Sequence, residues 1–288
     1  MSAAAHTDVV AVAGRPRTGG ALLRTAVAVL VLLVAAGLLG SLTQVAGSPS
    51  ATIGGRLQPP GAGHLLGTDS LGRSLLPRLL QGITTTLVLS AAAVAVSATV
   101  STALGVVAGS LGGAVDSLVQ RVVDVVYSFP ALVLAILVAA VAGPGRAAAV
   151  VSIVLITVPL TTRMVRTAAA QVAGRDFVTA ARIAGLSTPR VLLTHVLPNV
   201  RGTVAVQTSY ALAVAVLVEG GLSFLGHGVQ VPDASLGSLV QDGVLHLTRA
   251  PWLALAPGAV LFTAVCCITL VGDGLRDASE PRETRSLT

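Results

Sequence analysis

Eighteen basic and twelve acidic side chains carry the formal charge of this 288-residue sequence, and every basic one is arginine. The missing lysine removes two chemistries. A P-loop sets its lysine on nucleotide phosphates, and Schiff-base enzymes need a lysine amine. The chain therefore has no Walker site of its own. Cys266 and Cys267 are adjacent in an apolar run, with no CxxC or zinc spacing and no disulfide framework. The carboxylates are scattered, without DDxxD, HExxH or GxSxG, so the cluster a polytopic membrane enzyme needs is missing. One acid stands apart. Glu219 is the only glutamate before the C-terminal tail, and it lies in an apolar stretch. A carboxylate inside a membrane helix costs several kcal/mol unless paired or wetted. Glu219, with Ser223 one turn on, is a candidate for a translocation pathway; the plainer reading leaves it solvated at the outer interface, where Gly220-Gly221 loosens the helix. Arg121 and Asp124, at i,i+3 spacing, read as a helix-surface ion pair. His195 could titrate near neutral pH, and a hydrogen-bonded turn histidine is the simpler reading.

The elements that position these groups follow from composition. Hydrophobic residues make up 53% and charged residues 10%, with a mean hydropathy of +0.87. Soluble domains carry about 25% charged residues, so the chain reads as an all-α integral membrane protein. Its pI of about 10.9 then reports membrane topology rather than nucleic-acid binding. Six stretches are apolar enough to cross a bilayer, which takes about 20 helical residues: Ala21 to Leu42, Thr86 to Leu111, Val122 to Ala142, Ala147 to Thr162, Val204 to Leu225 and Trp252 to Val271. Pro130 and Pro159 are expected to kink or end their helices. Gly105 and Gly109 form a GxxxG, whose use is close helix contact, with a partner or within the bundle.

With the N-terminus in the cytoplasm, 13 arginines face inward and 5 (Arg56, Arg73, Arg78, Arg146 and Arg249) face outward, as the positive-inside rule requires. Both termini are then cytoplasmic in a multi-pass protein. The first apolar run has basic residues before it, like a signal peptide, but five further spans favour an uncleaved anchor. The expected organisation is an N-terminal tail (1–20), a first span (21–42), an irregular outer segment (43–82), a five-helix core (83–271) containing a cytoplasmic loop (163–201), and a C-terminal tail (272–288). In the outer regions Asp69 and Arg73 could order a loop or meet a partner, and Asp233 and Asp242 read as solvated loop acids.

The cytoplasmic loop contains two helix signatures. Asp176 is expected to cap a helix over 177–184, with Gly185 at its C′ position. Thr188 is expected to cap a second helix with Pro189 at its first position, ended by Pro198. Phe177, Ala180, Ala181 and Ala184, at i, i+3, i+4 and i+7, make a small apolar stripe. It suits a groove on a soluble protein or packing on the chain's own helices.

Ala180-Ala181-x-x-x-Gly185, followed after nine intervening residues by His195-x-Leu197-Pro198, resembles the EAA loop of binding-protein-dependent ABC importer permeases. Thr179 stands where that family most often has Glu, so a salt bridge made by the Glu does not carry over. Gly67-Thr68-Asp69-x-Leu71-Gly72-Arg73 is similar to the GTDxLGRD signature of the peptide and nickel branch, with Ser74 replacing the last Asp. Glu219-x-x-Leu222-Ser223-Phe224-Leu225-Gly226, Gly272-Asp273-Gly274-Leu275-Arg276-Asp277 and Glu280-Pro281-Arg282 follow the same branch. The chain thus resembles the DppC/OppC-type subunit over about residues 67–282. The resemblance implies a type I importer fold in a bacterial inner membrane. It implies a second homologous permease, two ATPase subunits that hold ATP and Mg, an extracytoplasmic substrate-binding protein and surrounding lipid as partners. It implies no cofactor or metal in this chain and no nucleic acid. Asp176, Phe177, Thr179, Ala180, Ala181, Gly185, His195, Leu197 and Pro198 would form the ATPase-coupling surface. Peptides are the implied cargo, with nickel, haem or another small solute as the alternative. A stand-alone secondary transporter would need internal repeats or ion ligands at the midplane, and neither is visible.

Overall fold

The structure is a computed structural model that describes residues 19–43 and 47–279. The N-terminal arginines Arg15 and Arg17, the motif Glu280-Pro281-Arg282 and Arg285 lie outside the described residues. The described residues form helices joined by turns and one folded outer segment: α1 (Gly19–Thr43), α2 (Leu75–Leu111), α3 (Gly113–Tyr127), α4 (Ala131–Ala142), α5 (Arg146–Ala173), α6 (Asp176–Ile183), α7 (Thr188–Val191), a π turn (Leu192–Val196), α8 (Leu197–Phe224), α9 (Leu236–Leu245) and α10 (Trp252–Ser279). Five helices are long and apolar enough to cross a membrane, or six spans if the bent pair α3–α4 counts as one.

The bundle is built on α2 and α5. Gly105 and Gly109 decide their contact. A Cβ at Gly105 would sit 2.8 Å from Val165 Cβ, and one at Gly109 would run into the Arg166 carbonyl. The GxxxG therefore faces the chain's own bundle. Thr157 Oγ1 donates to Ser97 Oγ at 2.7 Å further along the same seam. Small core residues (Ala93, Ala135, Ala149, Ala211, Ala215) let α2, α4, α5 and α8 approach closely around Ile153 and Leu222. Helix α1 lies against α2 and α10, with Gly37 beside Thr84 and Leu23 beside Gly274.

Several helices differ from the sequence expectation. Helix α2 begins at Leu75, within the stretch expected to be irregular. Its 37 residues reach about 55 Å, well beyond a hydrocarbon core of about 30 Å, so its first turns stand outside the apolar layer. The span expected over Val122 to Ala142 is two helices at 86°, broken at Ser128–Pro130. Pro130 holds ψ at 129° and cannot continue the α3 ladder. Helix α5, in contrast, runs through Pro159 to Ala173. The expected Arg121–Asp124 pair is replaced by Asp124 with Arg163 of α5, whose guanidinium also stacks 4.5 Å over the Tyr127 ring. Asp116 pairs in the same way with Arg166, Oδ1 accepting from Nε at 2.8 Å. These contacts bind α3 alongside the end of α5, at the level of the hairpin.

Contacts sort the loops onto two ends. At one, Gly145 N donates to His227 O, Arg146 pairs with Asp233 at 2.7 Å, and Ser70 reaches Asp242. At the other, Arg182 reaches the Ser110 carbonyl and α3 pairs with α5.

Candidate functional site

The hairpin between α5 and α8 begins where Gly174 ends α5 and Arg175 turns to φ −79°, ψ 150°. Arg175, not Asp176, is the N-cap of α6, and no side chain caps it. Asp176 is the first helical residue, where its charge favours the helix N-terminus. The far end of α6 closes as expected. Gly185 has φ +83°, its N–H donates to Arg182 O at 3.0 Å, and Leu186 N donates to Ala181 O at 3.2 Å. This pair of bonds is a Schellman closure, and it needs the left-handed residue that glycine supplies.

The second helix also starts one residue earlier than expected. Ser187 is the N-cap, Thr188 the first helical residue and Pro189 follows it. Pro198 does not end this helix. The π turn over Leu192–Val196, with Leu197 N donating to Leu192 O, shifts the hydrogen-bond register just before the proline, and α8 continues to Phe224. A proline has no N–H to give, so the widened turn absorbs the missing bond. Asn199 Nδ2 donates to His195 O at 2.7 Å beside it.

Val178 anchors α6. It is 0% exposed in a cluster with Val165, Ala169, Val172, Val191, Val196 and Val200. Ala181 and Leu197 pack partly against that cluster. Arg182 Nη2 adds a 3.3 Å bond to Ser110 O. The remaining face is open: Phe177 is 41% exposed, Ile183 is 83% exposed, and Thr179, Ala180, Ala184, Gly185 and Pro198 are exposed too. The stripe is thus shared, with Ala181 turned half inward. His195 sets its ring against Phe177, centroids 6.3 Å apart. The sequence pattern passed over Ile183, because it lies beside the alanine stripe rather than within it.

At the opposite end, Asp69 was expected to order a loop with Arg73 or to meet a partner at the outer face. Its carboxylate is 1% exposed and turned inward. Oδ1 accepts from Leu71 N at 2.9 Å and Arg73 N at 2.8 Å, and Oδ2 accepts from Arg73 Nε at 2.6 Å. The Gly67–Arg73 motif is therefore a turn wound around one carboxylate. The Arg73 side chain is mostly buried, 11% exposed, and keeps an edge at the surface.

Glu219 is 0% exposed, so in this conformation it is neither solvated nor open to a path. Ser223 Oγ donates to Glu219 Oε1 at 2.7 Å and accepts from Val229 N at 3.0 Å. The Thr86 and Ser235 hydroxyls flank the carboxylate at longer range, and Oε2 accepts no close hydrogen bond. Thr86 Oγ1 in turn accepts from Leu236 N at 3.0 Å. Ser235 and Ser238 form a capping box at the start of α9. Gly237 rests on the Gly220 carbonyl, and a Cβ at Gly82 would meet Ser235 and Leu236 at 3.2–3.3 Å. The network therefore seats α9 between α2 and α8. Thr86 and Ser235 could not be foreseen, because their partner lies far along the chain.

A family model described as "Binding-protein-dependent transport system inner membrane component" matches residues 101–285. A putative peptide transport system permease protein of Brucella suis is 37% identical over 257 residues, covering 89% of this chain and 86% of that protein. The di/tripeptide transport system permease DppC of Pseudomonas aeruginosa is 36% identical, covering 77% and 73%. The oligopeptide transport system permease OppC of Mycobacterium tuberculosis is 35% identical, covering 80% of each. Among solved structures, a chain of the inward-facing MetNI methionine ABC transporter aligns with a TM-score of 0.57 at 17% identity, over 70% of this chain and 96% of that one. That likeness concerns the fold alone. The chain belongs to the inner-membrane permease family of binding-protein-dependent transport systems.

Proposed function

We propose that the chain is one of two homologous membrane subunits of an ATP-driven importer that moves dipeptides or oligopeptides into the cytoplasm, with α6 and its flanking turns seated in a separate ATPase subunit. The supporting observation is the divided surface of α6. Val178 ties the helix to the bundle, while Phe177, Ala180 and Ile183 remain uncovered. An exposed apolar patch on an otherwise anchored element marks a contact. The small residues suit close approach, and the Schellman turn at Gly185 holds the helix rigid enough to transmit a push.

In this reading ATP and Mg reside in two partner ATPases, whose closure drives the hairpin and shifts the membrane subunits between inward- and outward-open states. A substrate-binding protein delivers from outside. The arginines support a hairpin end in the cytoplasm. Arg24, Arg121, Arg163, Arg166, Arg175, Arg182, Arg190, Arg201 and Arg276 belong to that side, against Arg56, Arg73, Arg78, Arg146 and Arg249 on the other. Both termini are then cytoplasmic. Peptide as cargo is supported by the names of the Brucella, Pseudomonas and Mycobacterium relatives.

The test is reconstitution of the chain with its second permease, ATPases and binding protein in proteoliposomes. ATP-dependent uptake of a labelled di- or oligopeptide is the expected result. Assembly without uptake of any peptide, alongside uptake of nickel or haem, would move the chain to another cargo.

A further inference from the structure

Arg78, in the first turn of α2, is 4% exposed, yet its Nε and Nη1 atoms donate no hydrogen bond within the described residues. Asp69 Oδ2 lies 3.5 Å from Nε, and the same oxygen already accepts from Arg73 Nε at 2.6 Å. The other oxygen of Asp69 accepts two backbone N–H groups. One carboxylate, already accepting three hydrogen bonds, thus stands between two guanidinium groups and pairs with Arg78 only at 3.5 Å. A guanidinium carries five donors, and burying them unmatched is costly. Arg78 lines an outer-end cavity of about 320 Å³ together with Arg73, Ser70, Ser238, Gln241 and Asp242. Asp242 accepts from Ser70 Oγ at 3.3 Å and lies 3.9 Å from His246 Nδ1. Ser238 is engaged in the capping box of α9.

We propose that this cavity is a socket for a single carboxylate, held by the Arg78 guanidinium with Gln241 beside it. Nε and Nη1 are sealed from the cavity, so the Nη2 edge makes the contact, a charge-assisted bond to one carboxylate oxygen, while the Gln241 amide can donate to the other. Asp233 and Asp242 on the walls disfavour a doubly charged phosphate. The carboxylate comes either from an acidic side chain of a docked binding protein or from the C-terminus of an arriving peptide.

The site itself is tested on the chain alone in lipid nanodiscs, titrated with N-acetyl-glutamate α-amide while the melting temperature is read. The wild type is expected to be stabilised. Arg78→Lys keeps the charge but loses the Nη2 donor at the cavity wall. Gln241→Glu fills the socket with a resident carboxylate and removes no buried group. Neither variant should respond, and the uncharged N-acetyl-glutamine amide should stabilise none of the three chains. Equal stabilisation of all three by the carboxylate, or of none, overturns the socket whatever the chain transports.

The source is read in the assembled importer, an arm that rests on the transport reading above. A binding-protein Kd about tenfold weaker in both variants assigns the socket to the docked protein. An unchanged Kd, with a KM about tenfold higher for a free-acid peptide but not for its C-terminal amide, assigns it to the cargo. Unchanged Kd and KM in both variants overturn any part for the socket in transport.

Discussion

The two ends of the chain use their polar and apolar groups in opposite ways. At the outer end Asp69 and Glu219 are 1% and 0% exposed, and their bonds run inward, to the Leu71–Arg73 turn and to Ser223. At the hairpin end Val178, Val191 and Val196 are buried, while the apolar residues of α6 beside Val178 face out. Buried carboxylates fix a shape, because removing one leaves its partners unsatisfied at a cost of about 1–3 kcal/mol each. Exposed apolar side chains fix nothing within the chain and gain only when a partner covers them. The outer end therefore reads as a rigid cap, and the hairpin as a contact awaiting another protein.

The largest expected effect comes from cutting the buried anchor of α6. Val178→Asp places a carboxylate among Val165, Ala169 and Val196 without a counter-charge, a cost of about 3–5 kcal/mol. Residues 174–201 should become sensitive to limited proteolysis while α2 and α8 still insert. Persistent protection of the hairpin would show that α6 is held by something other than Val178.

Next comes the cap. Glu219→Ala leaves Ser223 without its acceptor and empties space beside Thr86 and Ser235, worth about 1–3 kcal/mol. Faster amide hydrogen exchange over 226–246 is the expected signature, since the network seats α9. Glu219→Gln keeps an acceptor for Ser223 and should cost less than about 1 kcal/mol with little change in exchange. Equal effects of the two substitutions would assign Glu219 a role in its charge rather than in its hydrogen bonds.

Gly185→Val forces a β-branched residue to φ +83°, a strain of order 1–3 kcal/mol. It should loosen the turn between α6 and α7 without exposing Val178. The check is exchange at the Leu186 amide, which the Schellman bond protects.

What the sequence showed and what it concealed divide along the same line. The spans, the Gly185 turn and the existence of two helices in the hairpin follow from local patterns: apolar runs, a glycine after a short helix, a proline near a helix start. The bend at Pro130 and the passage of α5 through Pro159 do not separate by pattern, because either proline can end a helix and only neighbouring contacts decide. The caps at Arg175 and Ser187 each lie one residue before the expected one. Asp176 and Thr188 suit either the cap or the first helical position, and the residues around each choose between them. Asp69 winds its turn through Leu71 and Arg73, partners within four residues, as the loop-ordering reading allowed. Glu219 looked open to a pathway because what encloses it, the Thr86–Leu236 contact and the Ser223–Val229 bond, is brought together only by the fold.

The central claim is that the uncovered face of α6 is the ATPase contact, separate from what holds the chain together. Ile183→Asp tests it most directly, because Ile183 is 83% exposed and contributes little to the fold. The melting temperature of the purified chain should stay within about 1 °C of wild type, since an exposed substitution costs under about 0.5 kcal/mol. Co-purification of the ATPase and peptide uptake should both be lost, a charge now facing a desolvated groove. Retained ATPase and normal uptake would contradict the assignment of this face.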